Sequence, residues 1–165
     1  MTMARSVRGH LNKAGVSYEV LNHPHSSTSR QSAYRAHLSP AEVAKAVMTS
    51  DGAHYLLCVI PSANRLVFSW LNSYTNSDYR LVKESDLKNL FDDCEVGAVP
   101  ALGQVYGFPV IWDEKLGELQ DIYIESGDHE NLIHLDQGAF RELMGLQEHM
   151  TISCPDYEHG DFMSH

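Results

Sequence analysis

EVAKAVMTSDGAHYLLCVIP, residues 42–61, decides the fold class. Asp51-Gly52 separates two apolar segments, a turn dipeptide flanked by strand-forming residues, so the stretch predicts a β-hairpin with Lys45 on its first strand. Upstream, residues 3–14 predict a short amphipathic helix with Val7 and Leu11 on one face, stopped at Gly15. VSYEVLNH alternates Val16, Tyr18 and Val20 in strand fashion, and Ser26, Ser27 and Thr28 offer N-caps for a helix running through Ala33 and Ala36 before Ser39-Pro40.

Downstream, ANRLVFSWLNSY reads as a helix with a strand as the alternative, YRLV as a short strand, and Ser85 as the cap of DLKNLF. PVIWD, DIYIES and NLIHL are strand-like segments divided by polar turns at Gly117, Gly127 and Asp128, and GAFRELMGL closes the pattern as an amphipathic helix. Adjacent strands late in the chain favour an α+β or mixed-sheet domain over regular βαβ winding. The 165 residues fit one domain over residues 1–150, and the unpatterned TISCPDYEHGDFMSH, 151–165, predicts a loosely held tail.

The start, MTMARSVRGHLNKAG, has no apolar signal core, and no apolar run approaches the roughly 20 residues that span a bilayer, so the expectation is a cytoplasmic protein without a membrane partner. The net charge is −10, unevenly spread. Residues 1–45 hold six cations against two anions, a net of +4, which leaves −14 on the remainder. Such polarity permits a basic patch for phosphates on an acidic body, and equally permits solvated helix faces.

Cys58, Cys94 and Cys154 are odd in number and widely spaced, which indicates neither a disulfide framework nor a metal knuckle. Asp92, Asp93 and Glu95 disfavour a thiolate at Cys94. Among ten histidines, His23, His25, His129 and His134 are the best candidates for a metal, yet none forms a His-Glu-x-x-His pair, and no metal or cofactor is expected. Elbow, Walker and dinucleotide signatures are absent. What remains is Lys45, among small apolar neighbours, and a loop almost without functional side chains: Gly97, Ala98, Val99, Pro100, Ala101, Leu102 and Gly103. A lysine so placed either snorkels to a surface or supplies a point charge to a pocket. A backbone so bare either only turns or admits a ligand close to its N–H groups.

LNHP, VAKAVM, VIP, GAVPALG, WDEKL, IYIESGDH and LIHL with a closing helix occur in the order found in the YbaK/ProXp family of aminoacyl-tRNA deacylases, and the chain resembles that family over residues 5–146. The family is related to the editing domain of bacterial prolyl-tRNA synthetase. The resemblance implies a single α+β domain with a mixed, curved sheet flanked by helices. It implies hydrolysis of the ester joining a wrong, small amino acid to tRNA, the second sieve for side chains that a synthetase cannot reject by binding. The tRNA acceptor end is then the partner, and recruitment by a synthetase and the oligomeric state stay open. It places Lys45, Gly97 and Gly103 in catalysis, with His23, Ala98, Val99, Pro100, Ala101, Leu102, Ser126, Gly127, Asp128 and His129 lining the substrate site. Backbone donors and the ribose 2′-OH would do the work of a missing nucleophile. The loop departs from the family at Ala101, where proline is common, and this departure keeps a non-catalytic acceptor-end or amino-acid binding module as the alternative.

Overall fold

The computed structural model describes residues 3–95 and 98–156. Helix α1 (Arg5–Ala14) buries Val7 and Leu11 and ends at Gly15 in the left-handed conformation, as the sequence predicts. Strand β1 (Glu19–Asn22) is shorter than the alternating run, and Val20 points to solvent. It is the edge of the sheet, so only its neighbour's side is covered. Thr28 caps helix α2 (Ser29–Arg35) by accepting from the Gln31 N–H.

The hairpin consists of β2 (Val43–Ser50) and β3 (Tyr55–Pro61), paired antiparallel from Ala44–Pro61 to Ser50–Tyr55. The next segment divides into β4 (Asn64–Leu66) and helix α3 (Phe68–Thr75), followed by β5 (Arg80–Leu81). Helix α4 (Glu84–Leu90) begins one turn-position earlier than expected, with Lys83 at its N-cap and no side-chain cap; Ser85 is already helical. Strands β6 (Val110–Asp113), β7 (Asp121–Glu125) and β8 (Asn131–Asp136) lead to helix α5 (Gln137–Met144), capped by Asp136. Two strands without a sequence signal follow, β9 (Glu148–Met150) and β10 (Ser153–Pro155).

The described strands form a mixed sheet in the order β1-β8-β7-β2-β3-β6-β9, with β5 also on β2, and a separate β10-β4 pair. Pairs β7–β2, β3–β6 and β6–β9 are parallel, and the others in the large sheet antiparallel. One face packs against α1, α5 and the 99–102 loop through Ala44, Met48, Leu57, Val59, Ile122 and Ile124. The other meets α3 through Val47, Cys58 and Ile60, and α2 through Val43 and Ala33. The α+β expectation of a mixed sheet flanked by helices is realised.

The C-terminal stretch departs from expectation in its first part. Asp113 is fully buried, and its Oδ2 accepts from the N–H groups of Ile152 and Ser153, both at 2.9 Å, and from Ser153 Oγ at 2.8 Å. Charge-assisted bonds of this kind hold a segment that has no hydrophobic periodicity of its own. Residues 157–165 of the expected tail lie outside the described residues.

Gly103 answers part of the question its loop raises. A Cβ there would stand 2.7 Å from Leu57 Cδ2 and 2.9 Å from Val110 Cγ2, so the bare position lets the loop settle on β3 and β6. Residues 98–103 are all buried. Gly103→Ala should therefore destabilise the fold by roughly 1–3 kcal/mol through overpacking, read as a lowered urea midpoint; an unchanged midpoint would mean that the neighbours yield freely.

Candidate active site

The outer edge of β2 is taken by two strands, one at each end. Strand β7 pairs with Val43 and Ala44, while β5 pairs with Thr49 and Ser50. Between them lies a cavity of about 260 Å³ floored by residues 45–48 of β2. The Ser62 N–H bonds the Val43 carbonyl across the hairpin, so by strand alternation the backbone groups of Ala46 point away from β3, toward this gap. Ser27, Thr28 and Ser29 at the start of α2 form one wall, and Leu81, Val82 and Leu87 form another, with Glu84 beside them.

Lys45 enters the cavity half-buried. Burial pushes its pKa down to about 8; nearby Arg30 acts in the same direction, and Asp156 opposes them weakly. Arg30 itself is turned to the carbonyls of Ser62 and Ala63. A desolvated ammonium that makes no ion pair among the described residues is an electrostatic resource for an incoming anion or polarised carbonyl.

The other predicted residues meet beside this cavity, around the 126–129 turn. Ser126 O accepts from the Ala4 N–H and Gly127 O from the Glu95 N–H, each at 2.7 Å, so the turn is clasped by the start of α1 and by the entry to the bare loop. Gly127 has φ +110°, and a Cβ on it would meet that of Ala4 at 2.9 Å. His129 is buried with φ +59°, its ring edge-on to His25 at 5.8 Å. Its carbonyl accepts from the Ser26 N–H at 3.1 Å, while the His23 N–H donates to Glu130 O, so residues 23–26 run along the turn. His23 is buried, its Nδ1 2.7 Å from the Pro24 carbonyl. His25 Nε2 lies 3.1 Å from Glu95 Oε1.

Thus His23, Ser126, Gly127, Asp128 and His129 gather in one place, and residues 26–29 connect it to the Lys45 cavity. Ala98, Val99, Pro100, Ala101, Leu102 and Gly103 are buried, and Val99, Ala101 and Leu102 join the main core; none of the six lines that cavity. Gly97 lies outside the described residues.

Asp128 is an organiser of the turn. Burial alone would raise its pKa, but the Glu130 N–H, the Asn131 side chain, Ser126 Oγ and the Asn131 N–H more than offset that and hold it below the ordinary value. Cys94 is a poor nucleophile: burial drives its thiol up to about 12, although the Tyr106 hydroxyl at 3.2 Å works the other way. His134 bridges Glu19 at 2.9 Å and Asp121 at 2.8 Å and stacks on Tyr123, which ties the β1, β8 and β7 strands together at the surface. Among the described residues no three His, Cys, Asp or Glu side chains converge as a metal shell. None of the described helices is long and apolar enough to cross a membrane.

Residues 23–143 match the aminoacyl-tRNA editing domain, which is most of the chain. The chain belongs to that family. No curated protein matches it. Among solved structures, the hypothetical protein APE2540 aligns with TM-score 0.81 at 20% identity, covering 91% of this chain and all (100%) of that one. A proposed trans-editing enzyme for prolyl tRNA synthetase aligns with TM-score 0.77 at 20% identity, covering 93% of this chain and 97% of the other. A proposed signal transduction protein from Marinobacter aquaeolei VT8 aligns with TM-score 0.73 at 17% identity over 90% of this chain but only 30% of its own. At these identities the likeness is one of fold.

Sequence reading overlooked the 27–29 wall, where the hydroxyl residues read only as caps, and it overlooked Glu125. That carboxyl lies at the end of β7, almost fully buried, with Ser32 Oγ donating to its Oε2 at 2.8 Å. Burial raises its pKa to about 7, more than the Ser32 and Ser29 hydroxyls bring it back, and the field of Asp128 adds to the rise. The signal was the alternation of DIYIE, which puts Glu125 on the α2 face with Tyr123 while Ile122 and Ile124 take the other.

A carboxyl whose folded pKa exceeds its unfolded value gives stability that is complete below the unfolded pKa and is lost as pH rises through the folded one. Glu125→Gln, which cannot ionise, should gain on the native protein by roughly 1–3 kcal/mol between pH 5 and pH 8 in urea unfolding. A difference independent of pH would mean that Glu125 ionises normally.

Proposed function

We propose that this editing-family protein is a free-standing deacylase that hydrolyses the ester of a tRNA mischarged with a small amino acid. Membership of the family supplies the substrate class. The observation that carries the reading is Lys45, desolvated to a pKa of about 8 inside a cavity at the break in the sheet.

An aminoacyl ester is already activated, so the chemistry needs an oriented water and stabilisation of the oxyanion that forms on the carbonyl. At neutral pH Lys45 keeps its charge for most of the time, and partial exclusion of water strengthens its attraction for that oxyanion. The apolar wall of Leu81, Val82 and Leu87 with Met48 suits a small aliphatic or lightly polar side chain. The hydroxyls of Ser27 and Thr28 and the Ala46 backbone offer hydrogen bonds to the ester and ribose. The ribose 2′-OH would assist, with the 126–129 turn and His23 bounding the site from the neighbouring side.

The tRNA acceptor end presents few phosphates, so an acidic protein needs only a small basic patch to hold it, and the cytoplasm is where such a substrate would be met. Neither the binding nor the chemistry of the minimal reaction requires a synthetase.

Release of amino acid from tRNAs charged with alanine, serine, threonine, cysteine and proline should be selective for one or two of them. Lys45→Ala should lower the selected rate by about 10²-fold or more with the fold intact by circular dichroism. The lysine-dependent share of the rate should decline as pH rises through about 8, where the ammonium is lost. A Lys45→Ala protein at the native rate removes lysine from the mechanism. Salt-sensitive tRNA binding without turnover would instead mark a binding module.

A further inference from the structure

Ser29 belongs to two environments at once. It lines the cavity entered by Lys45, and its hydroxyl also approaches the carboxyl of Glu125 and favours the ionised form. The better-formed bond to that carboxyl comes from Ser32, whose own hydroxyl lies 2.7 Å from Ser26 Oγ. Glu125 Oε1 is buried without a partner of that quality among the described residues.

The register brings Glu125 close to the cavity in a second way. Val43 pairs with Tyr123 and Ala44 with Ile124, so Lys45 is the next residue of β2 and Glu125 the next of β7, on one face where the strands part. The pair does not form an ion pair: the charges that act on Lys45 are those of Arg30 and Asp156. A buried carboxyl held by hydroxyls and no cation is costly as a structural device, and that environment is typical of groups that exchange protons.

We propose that Glu125, acting through the Ser29 hydroxyl, accepts the proton of the attacking water in ester hydrolysis. This rests on the deacylase reading. The water oxygen adds to the ester carbonyl carbon while its proton passes to Ser29 Oγ and the Ser29 proton passes to the Glu125 carboxylate. The bond from the carbonyl carbon to the ribose 3′ oxygen then breaks, and the proton returns from Glu125 through Ser29 to that oxygen. Free amino acid and uncharged tRNA leave, and the carboxylate is regenerated. Lys45 faces the negative carbonyl oxygen in the intermediate.

The surroundings of Glu125 define its titration. The following turn contributes Asp128, whose charge raises its proton affinity and which stays ionised across the neutral range. Helix α2 contributes the uncharged Ser29 and Ser32, with Arg30 turned away to backbone carbonyls. Strand β2 contributes Lys45, and the residue paired with Glu125 on β8 is the apolar Leu132. Ionisation near pH 7 leaves a substantial carboxylate fraction at the working pH, as a general base requires.

The test is the single-turnover deacylation rate of native protein, Glu125→Gln and Ser29→Ala on the aminoacyl-tRNA selected from the panel, from pH 5.5 to 9, after subtraction of uncatalysed hydrolysis. Native protein should show a rate that rises through about pH 7 and falls through about pH 8. Glu125→Gln should lose the rising limb and about 10²-fold in rate at pH 7.5. Ser29→Ala, which leaves the carboxyl in place, should lose at least about 10-fold with unchanged tRNA affinity. A rising limb preserved in Glu125→Gln, or a Ser29→Ala rate within about twofold of native, overturns the relay and leaves the deacylase standing. Failure of native protein to release amino acid from any member of the panel overturns the deacylase reading and the relay with it.

Discussion

The divided edge of β2 is the constraint from which the rest of the site follows. A central strand normally spends its backbone groups on continuous neighbours, and a gap in that pairing is costly unless something else satisfies them. Here β7 leaves after Ala44, and the segment of β5 arrives with the Val82 N–H on the Met48 carbonyl, so on this edge the backbone of Ala46 is flanked by side chains and space instead of a strand. A parallel neighbour and an antiparallel one meet the same edge from opposite ends, which only a mixed sheet allows. The lysine on the strand itself, the hydroxyl wall of α2 and the apolar wall brought by β5 and α4 all meet at this break.

The charge distribution makes sense on the same geometry. A protein of net charge −10 surrounds its candidate centre with few charges, and two of those nearest Lys45 act against each other, Arg30 lowering and Asp156 raising its proton affinity. Desolvation outweighs both. The lysine is thus governed by its position in the fold more than by any partner, which suits the role proposed for it.

Local signals made the hairpin, α1, α2, α5 and the three late strands legible in the sequence, because each has a turn dipeptide, a cap or a periodicity within its own span. Strands β9 and β10 were illegible because their pairing depends on distant groups. Asp113 reaches across to Ile152 and Ser153, and β9 lies parallel to β6 through Ile111 to Asp113. The walls of the Lys45 cavity were not legible in the sequence. Lys45 and the 126–129 turn could be named from the order of short motifs, but a serine at a helix start looks like a cap whether or not it also faces a cavity. The bare 98–103 loop shows the converse: small residues invite a binding interpretation, whereas Gly103 is small because Leu57 and Val110 press against it.

Two carboxyls three residues apart, both shut off from solvent but Glu125 the more deeply embedded, are driven in opposite directions. Asp128 has backbone and amide N–H donors on both oxygens, and these outweigh desolvation and keep it ionised as a fixed part of the turn. Glu125, one strand-end earlier, meets only hydroxyls, which can donate or accept, and desolvation wins. N–H donors favour the ionised carboxylate because they cannot accept a proton back; the two hydroxyls favour it too, but at Glu125 desolvation outweighs them. The turn therefore supplies one acid that holds shape and one that is free to change charge, and the second is the one connected, through Ser29, to the cavity of Lys45.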